Sequence, residues 1–161
     1  MHVREVAHVE EVLDGPLRRG GHHDAAAVED PTVGLGRVAT VVAKARSEVK
    51  NSLLVDNGDF LQGNPLGDWM AYEKGLKEGD LHPVMAAMNA LGFEAATLGN
   101  HEFNYGLSFL GQVTGQAMPI DGVIEPRCAG PKFPLVLANV LGAHDGKPLY
   151  PPTALLKRKL K

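Results

Sequence analysis

The sequence predicts an α/β domain built on a parallel sheet. Segments with apolar residues at helical spacing alternate with short, continuous apolar runs, the pattern of strands joined by crossover helices. Two of those runs, "LLVD" and "AATL", break directly into polar, glycine-bearing stretches, "NGDFLQGNPL" and "GNHEFNYG". No internal repeat is present. Residues 1–29 read apart from the rest: "DGPLRRGGHHDAAAVEDP" is rich in Gly, charge and His and sustains no period, so an irregular segment is expected there. The ordered domain is expected over residues 30–161.

In "TVGLGRVATVVAKARSEVK", Leu35, Val38, Val41, Val42 and Ala45 recur at helical spacing, and Lys and Arg gather toward the C-terminal end. This predicts a helix with one buried stripe. "SLLVDNGD" predicts a buried strand, because its apolar run is continuous rather than alternating. "LGDWMAYEKGL" predicts a second helix, with Trp69 and Met70 in the core. "HPVMAAMNALG" predicts a third, begun by Pro83, ended by Gly92 and burying Met85 and Met88. "FEAATLG" reads as the second strand, "LSFLGQVTGQ" as a helix despite its glycines, and "FPLVLANVLG" as the third strand. "AHDGKPLYPPTALLKRKLK" reads as loop followed by a solvated basic tail.

The composition of the 161 residues excludes several classes. The hydrophobic fraction is 44%, which lies in the globular range. Sixteen Lys and Arg against 19 Asp and Glu give a net charge of −3, spread along the chain, so no concentrated basic face for duplex nucleic acid is expected. No apolar run is long enough to span a bilayer. The N-terminal "MHVREVAHVEEVLDG" contains acidic residues and no continuous apolar core, unlike a secretory signal, so the chain as written is expected in the cytoplasm. The lone Cys128 has no base nearby in sequence and is expected to be inert.

The chemistry is expected at the two strand ends, since open α/β sheets bind ligands beyond the carboxyl ends of their strands. Asp59 lies beyond the first, Asn100 and His101 beyond the second. A carboxylate can bridge two divalent cations, an amide oxygen is a neutral terminal ligand, and imidazole can act as ligand, acid or cation. Two such cations clamp a phosphoryl group and activate a water. Either stretch alone is an ordinary turn; together, each at an independently expected strand end, they point to a site.

"VDNGDFLQGNPLGDWMA" and "AATLGNHEFNYGLSFL" resemble the second and third metallophosphoesterase motifs of the 2′,3′-cyclic-nucleotide 2′-phosphodiesterase/3′-nucleotidase family, within the 5′-nucleotidase superfamily. The resemblance runs from about Asp30 to Pro152. It implies part of a four-layer α/β/β/α sandwich with two divalent metal ions (Mn, Zn, Fe or Co), a nucleotide as small-molecule substrate, and a periplasmic setting. It makes Asp59 the bridging metal ligand and Asn100 a ligand of the second metal. His101 would be the catalytic residue at the scissile phosphate, and Glu102 would support the loop rather than touch metal. Gln62, Asn64 and Asn104 would shape the loops by hydrogen bonding.

The departures from the family are as informative. The family's opening strand ends in Asp-x-His, and none of His2, His8, His22, His23 or Asp24 follows an apolar strand in that pattern. The later Gly-His and Gly-His-x-His segments and the base-binding domain have no counterpart here. An isolated chain short of these ligands is expected to hold metal weakly and to be inactive alone. The alternatives are a 5′-nucleotidase or nucleotide-sugar hydrolase, and a non-catalytic remnant of a truncated gene.

Overall fold

The computed structural model describes residues 34–160. The irregular segment expected over residues 1–29, with its "HHD" cluster, lies outside them. The chain divides into two compact units, Met1–Lys50 and Asn51–Lys161.

In the first unit, α1 spans Leu35–Ser47, with Lys44 and Arg46 in its last turn. Its stripe is narrower than expected. Val38 is buried and Leu35 and Val42 are half-buried, but Ala45 is exposed and so is Val41, at 56%. The residues that count are thus i, i+3 and i+7, and Val41 turns to the open flank.

The second unit carries three parallel strands, β1 (Val55–Asp56), β2 (Ala95–Thr97) and β3 (Leu135–Val136), in the order β1-β2-β3. Val55 is in register with Ala95, and Ala96 with Leu135. The α/β class with a parallel sheet is therefore observed. The burial of β1 is corrected: Leu54 is buried, yet Leu53 and Val55 are 44% and 49% exposed. Among the described residues β1 pairs only with β2, and the face that carries Leu53 and Val55 is open.

Between β1 and β2 the chain forms α2 (Pro65–Trp69), a π-helical turn (Met70–Lys74) and α3 (Pro83–Leu91). Asn64 caps α2 by accepting the Gly67 N–H at 2.9 Å, and Pro65 follows, where its missing N–H costs nothing. Trp69 was expected in the core. It is instead 47% exposed, with the Lys74 ammonium 5.2 Å from the ring centre. Winding from α to π at Met70 keeps Met70 buried and rotates its neighbour outward.

α3 begins where Pro83 predicts and ends at Gly92, which adopts φ 71° as a left-handed cap. Its Met85 and Met88 are buried against solvent, as are Leu110 and Val113 of α4 (Leu107–Thr114). Burying each such side chain contributes roughly 1.5–3 kcal/mol before entropy is counted. Thr114 at the end of α4 bonds back to the Leu110 carbonyl at 2.9 Å and meets the Tyr150 hydroxyl at 3.0 Å, so this buried polar group is satisfied.

Candidate active site

Two loops leave the carboxyl ends of β1 and β2. At the last residue of β1, Asp56 Oδ1 accepts the Gly58 N–H at 2.8 Å, which folds the chain into a tight turn. Gly58 has φ 93°, and a Cβ there would fall on the Gly99 amide and within 2.8 Å of the Leu98 carbonyl carbon. A Cβ at Gly99 would fall on the Asp59 carboxylate. The two loops thus meet backbone to backbone, and glycine is the residue that permits it.

Asp59 follows in the left-handed region at φ 63°; every other described residue with positive φ is a glycine. Such a conformation in a non-glycine residue is strained and persists where its surroundings impose it. Here two contacts do so. The Asp59 N–H donates to Glu102 Oε2 at 2.7 Å, and Asp59 Oδ1 accepts the His101 N–H at 3.1 Å.

The β2 loop runs through Gly99 into a 3₁₀ turn, His101–Phe103. Asn100 heads this turn without capping it, and its side chain is exposed. Its neighbours on both sides touch Asp59, Gly99 through the close approach and His101 through its N–H. The structure therefore brings Asp59, Asn100, His101 and Glu102 into one place. Their visibility differs: Asp59, Asn100 and His101 are exposed, whereas Glu102 is wholly buried. The Glu102 carboxylate accepts three backbone N–H groups, from Asp59, Leu61 (3.0 Å) and Gly99 (2.6 Å).

The His101 ring lies against Gln62 and Asn104. Its Nδ1 is 3.1 Å from Gln62 Oε1 and 2.9 Å from Asn104 Nδ2, and Asn104 Nδ2 also donates to Gln62 Oε1. With Nδ1 engaged by this amide pair, Nε2 is the nitrogen available to a ligand. Behind the loop, Gly67 packs on the Leu61 carbonyl and the Tyr105 hydroxyl, which donates to Asp68 at 2.6 Å. Burial and this carboxylate both push the Tyr105 hydroxyl pKa up.

Sequence reasoning passed over Asp56. Burial, reinforced by the nearby Glu102 and Asp59 carboxylates and opposed by the Gly58 N–H, raises its pKa to about 6. The signal available was the spacing in "VDNGD", which sets two carboxylates on either side of a tight turn at a strand end.

Asp59 and Asn100 offer exposed, hard oxygen donors that suit a divalent cation. Among the described residues, no group of three or more His, Cys, Asp or Glu side chains is arranged to hold one. The described residues thus fit one side of a metal centre and, among themselves, do not complete it.

Comparison with known proteins now bears on this geometry. No family model matches the chain. The chain is 50% identical over 119 residues to the 2′,3′-cyclic-nucleotide 2′-phosphodiesterase/3′-nucleotidase of Salmonella typhimurium, a match covering 74% of this chain and 16% of that protein. Over the matched residues the chain is a homologue of these phosphodiesterase/nucleotidases. The 5′-nucleotidase of Mus musculus is a more distant relative, 34% identical over 127 residues, covering 76% of this chain and 18% of its own length. The crystal structure of the calcineurin-like phosphoesterase YfkN from Bacillus subtilis superposes with a TM-score of 0.63 at 41% identity, covering 79% of this chain and 34% of that one. The partial α/β fold is therefore that of the calcineurin-like phosphoesterases, a family that works with divalent metal ions. The chain spans about a sixth of the length of the curated relative from Salmonella typhimurium. No described helix is long and apolar enough to cross a membrane.

Proposed function

We propose that the second unit forms one wall of a two-metal phosphoesterase site acting on 2′,3′-cyclic nucleotides and 3′-nucleotides, and that this chain alone turns over little or no substrate. The observation that carries the reading is the fastening of the Asp59 turn to the Asn100-His101 loop by the buried Glu102 carboxylate. Asp59 would bridge the ions and Asn100 would be a terminal ligand. When bound, the ions supply Lewis acidity and an activated water. His101, its Nδ1 held by Gln62 and Asn104, would present Nε2 to the phosphoryl oxygens or the leaving oxygen. The substrate class and a periplasmic setting rest on the family, whose cyclic-nucleotide members are nearer in sequence than the 5′-nucleotidases.

A second reading, a non-catalytic remnant, is favoured by the shortage of converging ligands among the described residues. Both are tested on the full chain with Mn²⁺. Weak, saturable paramagnetic broadening of the amides of residues 58–61 and 99–101, abolished by Asp59→Ala, is expected. Wild-type chain showing no broadening at millimolar Mn²⁺ would remove the metal assignment. Mn²⁺-stimulated hydrolysis of bis-p-nitrophenyl phosphate that depends on Asp59 and His101 would show that the chain is active alone.

A further inference from the structure

We infer that Glu102 is a positioning residue that sets the geometry of the candidate metal ligands by holding Asp59 in its left-handed conformation; this rests on the metal reading above. Three observations converge. Glu102 is fully buried and both its carboxylate oxygens accept backbone N–H groups, from residues 41 to 43 positions away on one loop and three on the other. Asp59, whose N–H is one of the three, holds a positive φ without being glycine. Asn100 lies between two residues that are themselves tied, Gly99 to Glu102 and His101 to Asp59. The separation of the two candidate ligands therefore depends on a side chain that is too buried to meet metal itself.

The chemistry of the carboxylate explains why this residue type is needed. Two N–H groups converge on Oε2 and a third on Oε1, so both atoms must accept. An ionised carboxylate accepts at both oxygens, whereas Gln offers one oxygen and turns an NH₂ toward an N–H donor. Glu102→Gln keeps the size of the side chain and loses at least one of these charge-assisted bonds. With this anchor weakened, the left-handed φ of Asp59 rests on the His101 N–H bond to its Oδ1, and the turn relaxes, taking its carboxylate away from Asn100.

The test uses the full chain, ¹⁵N-labelled, in two arms. In the metal-free arm, the amides of Asp59, Leu61 and Gly99 are expected to be protected in wild type. In Glu102→Gln they exchange about ten- to a hundred-fold faster, while Met88 and Leu110 amides are unchanged. In the metal arm, the Mn²⁺ concentration that broadens residues 58–61 and 99–101 rises about ten-fold or more. Faster exchange with unchanged Mn²⁺ response would reduce Glu102 to a structural residue and overturn the inference. Should Glu102→Gln fail to fold, the wild-type exchange decides: three amides exchanging like open loop amides would overturn it. Wild type that is protected yet blind to Mn²⁺ would support the anchor and defeat the metal reading instead, so the two failures are distinguishable.

Discussion

Gly99 has no room for a side chain, because the space a Cβ would take is already filled by the Asp59 carboxylate, with the Asp59 amide nitrogen 2.9 Å away. Gly99→Ala must therefore push the two loops apart. The expected loss is about 1–3 kcal/mol, the usual range for overpacking, read as a lower urea midpoint with unchanged slope. Asp56 shows a different kind of pressure at the same place. Its raised pKa, about 6 against 3.8, means that the folded chain binds a proton there more readily than the unfolded one. The stability it lends is complete below the unfolded value and fades as pH rises through about 6. A divalent cation at Asp59 would act in the opposite direction on Asp56, favouring the charged carboxylate.

At the scale of elements, α3 hangs on His82. Its Nδ1 accepts the Val84 N–H at 3.2 Å, capping the helix, while the ring is 2% exposed and packs edge-on to Phe109 at 5.9 Å. With Nδ1 accepting, the proton sits on Nε2, which has no hydrogen-bond partner. Burial lowers the pKa of His82 to about 4 from 6.5. The unfolded chain therefore takes up this proton first: stability is full above about 6.5 and is lost as pH falls toward 4. The loss should approach roughly 3 kcal/mol at about pH 4. His82→Asn, which keeps an acceptor for the cap, should flatten this acid limb in denaturation curves recorded from pH 7 to 4. Between pH 4 and 6, Asp56 works against the slope, so adding Asp56→Asn to the wild type should steepen it.

Most of these elements were legible in the residues. Pro83 and Gly92 bracket α3 because one tolerates a first helical turn and the other a left-handed cap, both local demands. The α-to-π change at Met70 was not legible, and it turned Trp69 out of the core. The exposed face of β1 was also hidden, since a continuous apolar run is written the same way for a strand covered on both faces and for one covered on a single face. At the site, sequence singled out Asp59, Asn100, His101 and Glu102, which the structure gathers. Two of the three N–H groups on Glu102, those of Asp59 and Leu61, and the contact of His101 with Gln62 were not readable, because they join positions some forty residues apart.

For the whole molecule, the edge matters most. Leu53 and Val55 present apolar surface on a strand that, among the described residues, pairs on one side only, a combination that invites strand addition from another chain. Val55→Lys, on the open face, should reduce concentration-dependent association measured by light scattering, with little effect on the unfolding midpoint. An association unchanged by that substitution would place the contact elsewhere.

The buried carboxylate also has a consequence for protein engineering. Because Glu102 fastens Asp59, Leu61 and Gly99 together, neither motif is a self-sufficient module. A designer who grafts the Asn-His-Glu turn onto a foreign scaffold imports an acidic group with nowhere to spend its lone pairs, unless the Gly-Asp turn travels with it. The smallest transplantable unit is the pair of turns, together with the two adjacent parallel strands that present them.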